Sequence, residues 1–171
     1  MQQTPPQANE LDEETLTLIR KVFQFARSGD AAELAAFLDH GFPPNLRNER
    51  GDSLLMLASY HGHVDASKVL LERGADPEAM NDQGQSPLAG AAFKGNLAIA
   101  TLLLDHGAQV DNAVPGGKTA LMFAAMFNRV EIAQLLLARG ADPAWTSSEG
   151  FNAAAMARKM GAADTAALLG D

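Results

Sequence analysis

Four histidines are the residues best able to do chemistry: His40, His61, His63 and His106. A metal site on a helix wants histidines four apart with a carboxylate, or histidine paired with cysteine. None is arranged so, and there is no Cys. His61-Gly62-His63 straddles a helix-ending glycine, so the two rings are expected to diverge. His63 follows that glycine, a position suited to a local turn. His40 and His106 each precede a glycine, where a cation meets the negative end of a helix dipole. Ser53, Ser86 and Thr119 are 33 residues apart, which marks them as helix caps rather than nucleophiles. Gly116-Gly117-Lys118-Thr119 superficially resembles a phosphate loop. It lacks the upstream glycine, the preceding buried strand and the long following helix. Glu13-Glu14 belongs to a first helical turn, where the dipole favours acids. No catalytic residue, metal ligand or cofactor is expected.

Composition narrows the partner. Lys+Arg is 13 and Asp+Glu 21, giving 13 − 21 = −8, with a pI of about 4.9. Nucleic acid and anionic membranes are therefore not expected partners. No long apolar window is present, so no membrane span is expected. MQQTPPQANELDEE has neither a basic nor an apolar leader segment, so the expected location is the cytoplasm. Ala is 32 of 171 residues while aromatics are 6%, which suggests close-packed helices.

The elements that position these residues repeat. Gly51, Gly84, Gly117 and Gly150 are 33 apart. So are Gly41, Gly74, Gly107 and Gly140. Gly29, Gly62, Gly95 and Gly161 follow the same ladder, with Asn128 in the vacant slot. Leu38, Leu71, Leu104 and Leu137 keep step, with Leu70, Leu103 and Leu136 beside them. One unit shows why. Asp82-Gln83-Gly84 signals a turn. Ser86 caps a short helix that has Pro87 at its first position. Gly95-Asn96 break it, and Leu97 to Leu104 form a second helix that Gly107 ends. Such a unit cannot bury its own apolar face, so stacked neighbours must supply the core.

Gly84-Gln85-Ser86-Pro87-Leu88-Ala89-Gly90-Ala91-Ala92-Phe93-Lys94-Gly95-Asn96, Gly117 to Ala125 and Leu136-Leu137-Ala138-Arg139-Gly140-Ala141-Asp142 resemble the ankyrin repeat. The resemblance implies an all-α solenoid of five helix-turn-helix units joined by short turn tips or hairpins. A flexible lead-in over 1–14 precedes a repeat domain over 15–171. Its units are 15–47, 48–80, 81–113, 114–146 and 147–171, the first and last acting as caps, and Asp12 is expected to cap the first helix. Met56, Ala89 and Met122 stand where the family usually has His. A network between repeats is thereby lost, at about 0.5–1 kcal/mol per missing bond. Pro77 and Pro143 stand where the family usually has Val.

The resemblance further implies a protein partner bound on a concave face of turn tips and first helices. It implies no enzyme activity, no small-molecule substrate and a monomer. Tyr60-His61, Phe93-Lys94 and Met126-Phe127 close successive first helices, and Tyr60, Phe93 and Met126 are expected to align as a stripe. The tips contribute Arg50, Asp52, Asp82, Gln83, Gln85 and Lys118. Trp145 and Phe151 stand beside the last tip, as binding anchors or cap anchors. The module would inhibit, adapt or assist its partner, as compact bacterial ankyrin proteins do. The alternative is a haem or metal carrier, or an accessory protein for a haem enzyme such as catalase, using His61 or His106.

Overall fold

The computed structural model describes residues 12–170. They form ten α-helices and no strand. In chain order these are α1 Glu13–Ser28, α2 Ala31–Asp39, α3 Leu54–Tyr60, α4 Val64–Glu72, α5 Pro87–Lys94, α6 Leu97–Asp105, α7 Ala120–Met126, α8 Val130–Ala138, α9 Ala153–Met160 and α10 Ala163–Leu169. The expected all-α solenoid is what forms. Each odd-numbered helix packs on the even-numbered one after it and on the odd-numbered helices of adjacent pairs. Residues 1–11 of the expected lead-in lie outside the described residues. Its last two, Glu13 and Glu14, are already helical, so the folded part starts earlier than residue 15.

Local chemistry explains the boundaries. The side chains of Ser53, Ser86, Thr119 and Asn152 accept the amide hydrogen three residues on, at 3.0, 3.1, 3.4 and 2.8 Å. Asp12 does the same for α1, accepting from Thr15 at 2.7 Å. Each such cap contributes about 1 kcal/mol. Between the helices of a pair the chain must enter the left-handed region. Glycine does this without strain, and Asn128 does it at φ 55°. Asn128 is the only described non-glycine there, and it has a compensating role. Its Nδ2 donates to Asp164 at 2.8 Å and its Oδ1 accepts from the Thr165 amide at 3.0 Å.

Small residues let the odd-numbered helices approach. Ala58, Ala91, Ala124 and Ala157 are all fully buried. Leu70, Leu103 and Leu136 are fully buried from the even-numbered side. Removing one such side chain costs about 2–5 kcal/mol. Met56 and Met122 stand in two of the slots expected for His, and both are buried, Met122 within the continuous core.

One turn departs from the glycine ladder. The left-handed residue at the tip before α7 is Gly116, not Gly117. Pro115 is the cause. Val114-Pro115-Gly116-Gly117 closes with the Gly117 amide on the Val114 carbonyl at 2.7 Å. Proline in second place with a left-handed glycine in third is the type II arrangement. The tips at Asn48, Asn81 and Ser147 instead place glycine in fourth position, closing onto the residue three before it.

Candidate interaction surface

The tips before α3 and α5 are braced by asparagine. Asn48 Oδ1 accepts from the Arg50 and Asp52 amides, each at 2.9 Å. Asn81 Oδ1 accepts from Gln83 at 3.1 Å and Gln85 at 3.0 Å. The side-chain amides then converge on Asp52: Asn48 donates at 3.2 Å and Asn81 at 3.0 Å. The Asp82 amide donates to the Arg50 carbonyl at 3.1 Å. Two tips are thus tied into one rigid ledge, with Asp52 consumed as its acceptor.

Below the ledge lies an aromatic row. Tyr60 stacks on Phe93 with ring centroids 6.5 Å apart and planes 10° off parallel. Phe127 meets Phe93 edge-on at 4.8 Å. These rings stay exposed, at 38%, 37% and 36% for Tyr60, Phe93 and Phe127. The row differs from the expected stripe in its third member. Met126 is half-buried and packs against the core, where a flexible thioether fills an irregular gap. Phe127, the residue after Met126, takes its place by leaning back one pair onto Phe93. Lys94 does likewise, its Nζ lying 5.0 Å above the Tyr60 ring.

Ledge and row enclose a groove of about 460 Å³. Arg50, Asp52, Gln83 and Gln85 line it from the tips, and Tyr60, His61 and Phe93 from the helices. The other expected residues lie elsewhere. Asp82 gives its amide to the ledge and is exposed, its side chain close over Gly51. Lys118 pairs with Glu149 at 2.9 Å, which holds the Glu149 carboxyl below its ordinary range through that hydrogen bond. Trp145 and Phe151 are half-buried, pack against the core and do not line the groove. Lys159 covers Phe151 at 4.5 Å.

The groove also includes residues that tip chemistry and aromatic content do not single out. Arg27, Asn48, Asn81 and Phe123 line it. Arg27 stands 33 residues before Tyr60, so extending the helix-end ladder back one step names it. Asn48 and Asn81 are likewise one period apart. A second hollow of about 440 Å³ adjoins, sharing Arg27, Asn48 and Arg50 and adding Arg20 and Arg47.

Three of the four histidines take structural positions. His40 and His106 each donate a ring Nδ1 hydrogen to the carbonyl four residues before, at 2.6 and 2.9 Å. His63 reaches into the preceding pair, donating from Nε2 to the Arg27 carbonyl at 2.8 Å, so it is more than a local turn residue. The His61 and His63 rings do not diverge. Their centroids are 6.2 Å apart and their planes 31° off parallel. No group of three His, Asp or Glu gathers among the described residues in a way that would hold a metal ion. No helix among the described residues is long and apolar enough to cross a membrane.

Comparison with known proteins returns one consistent likeness. The model for ankyrin repeats (3 copies) matches residues 22–114 and 74–147. A Pseudomonas aeruginosa protein named for its ankyrin repeats is 54% identical over 60 residues, which is 35% of this chain and 35% of that protein. The match thus spans about a third of the length of that curated relative.

Proposed function

The chain belongs to the ankyrin-repeat family, and from that premise we propose that it is a binding module for a protein partner, without catalytic activity of its own. Ankyrin repeats generally mediate protein–protein interaction, and the family is typically non-enzymatic. The observation that carries the reading is the exposed aromatic row. Three rings of the chain's few aromatics stand together at 36–38% exposure beside a braced polar ledge. Burying such rings against a partner recovers contact area, and aromatic anchors dominate interface energetics. The ledge contributes hydrogen-bonding groups whose backbone is already fixed, which lowers the entropy lost on binding.

The partner occupies the groove between the ledge and the odd-numbered helices, contacting Arg50, Gln83, Gln85, Tyr60, His61 and Phe93, with Lys94 and Phe127 at its border. The module acts as inhibitor, adaptor or accessory factor, as a monomer in the cytoplasm.

Capture from a lysate of the source organism tests this. Wild-type protein retains a partner, and a Tyr60/Phe93/Phe127→Ala variant with unchanged circular dichroism loses it. Equal capture by the folded variant contradicts the proposed surface.

A further inference from the structure

The chain carries a net charge of −8, yet its cations are not spread evenly. Four arginines, Arg20, Arg27, Arg47 and Arg50, line the groove and the hollow that adjoins it. Elsewhere arginine is used up within the fold. Arg73 pairs with Asp39 at 2.8 Å, Arg139 pairs with Asp105, and Arg129 donates to the Phe93 carbonyl. Arg47 donates one nitrogen to the Met80 carbonyl at 2.9 Å. The side chains of Arg20, Arg27 and Arg50 have no hydrogen bond or ion pair with a described residue.

The acids nearby, Glu49, Asp52 and Asp82, are fewer than these four arginines and form no ion pair with them. Asp52 spends both oxygens on Asn48 and Asn81. Glu49 is exposed and makes no ion pair with a described residue. An arginine-rich basin, three of its four guanidinium groups without a partner among the described residues, therefore sits beside the aromatic row on an otherwise acidic molecule.

Resting on the reading of this groove as a protein-binding surface, we infer that its partner presents an acidic segment with an aromatic or apolar anchor. Carboxylates of that segment face Arg27 and Arg50, and Arg20 and Arg47 extend the contact beyond the groove. The anchor lies on Tyr60 and Phe93. Guanidinium suits this task because its planar fork takes a carboxylate through two parallel hydrogen bonds. Complementary charge also speeds encounter, and salt weakens that effect. A long polyanion such as nucleic acid fits less well, because it would run from the basin onto a surface of its own sign.

Panning a random peptide library on the full chain tests the inference. Binding of the selected peptides is then measured by fluorescence anisotropy. Peptides enriched in Asp and Glu around an aromatic residue are expected, with affinity falling as salt rises. An Arg27/Arg50→Gln variant should bind them about ten-fold or more weakly, whereas Lys68→Gln on the outer surface should not differ. Peptides without acidic enrichment that are lost on Tyr60/Phe93→Ala overturn the acidic partner and leave the protein-binding groove standing. Selected peptides insensitive to both variants, or no selected peptide, overturn both. Displacement of acidic peptides by single-stranded oligothymidine at equal or lower concentration overturns the inference in favour of nucleic acid.

Discussion

The joint between α3–α4 and α5–α6 and the joint between α5–α6 and α7–α8 solve one packing problem with opposite means. The first is tied at its tips. The Asp82 amide reaches the Arg50 carbonyl, and Asn81 reaches Asp52. Among the described residues no ion pair crosses its outer side: Glu72 pairs within its own helix with Lys68, and His106 turns to its own helix carbonyl. The loops beyond these helices meet through Glu78, which accepts from the Gln109 amide at 2.7 Å and from Asn112 at 3.3 Å. The second joint is clamped outside, by Arg139 on Asp105. Its tips are untied, because Pro115 stands where Asp82 and Ser148 supply an amide hydrogen, and Val114 stands where Asn48 and Asn81 brace a turn. The braced joint is the one whose tips form the groove. Hydrogen bonds between tips are thus placed where a partner would gain from a fixed surface.

Four substitutions separate these contributions, in order of expected effect, with Val114→Ala as the control for Asn81→Ala. Leu103 is fully buried in α6, which both joints share. Leu103→Ala should therefore damage both, lowering unfolding free energy by about 2–5 kcal/mol in urea titrations. A loss below about 1 kcal/mol would show that the pairs are not one cooperative core.

Asn81→Ala removes the brace of its own tip and the side-chain tie from that tip to Asp52. An expected loss of about 1–2 kcal/mol should come with faster amide exchange at Gln83 and Gln85. Val114→Ala, at the corresponding place in the unbraced tip, should change neither stability nor exchange appreciably. Equal effects of the two would erase the distinction between the joints.

The smallest effect belongs to the outer clamps, which are exposed and screened by solvent. The hydrogen bond from Arg73 holds the Asp39 carboxyl below its ordinary range. A carboxyl with a depressed folded value stabilises above its unfolded value, about 3.9, and loses that contribution as pH falls through the folded value. Asp39→Asn should therefore lower the urea midpoint slightly at neutral pH. The difference from wild type should shrink as pH drops below about 4. A difference that persists in strong acid would mean that the ion pair is not its source.

Much of this arrangement can be read in the sequence. Glycine, serine and leucine recur at one spacing because each pair needs the same caps, the same left-handed residue and the same buried face. Asn128 even marks its own slot in the ladder. What eludes sequence reading is the direction of individual side chains. Phe93 and Met126 hold corresponding positions, but Met126 turns inward and Phe127 leans back to Phe93. Spacing alone does not distinguish those outcomes, since they depend on which side chain fills the local gap. The free arginines elude it for a related reason. Arg73 and Arg139 look no different in the sequence from Arg27 and Arg50, and only the placement of a carboxylate makes one pair structural and leaves the other open.

Hydrogen–deuterium exchange of the full chain, alone and with its captured partner, tests the central claim most directly. Protection on binding is predicted at residues 48–61 and 81–94, which carry the ledge and the aromatic row. Protection confined to the even-numbered helices, with those two segments unchanged, would contradict it.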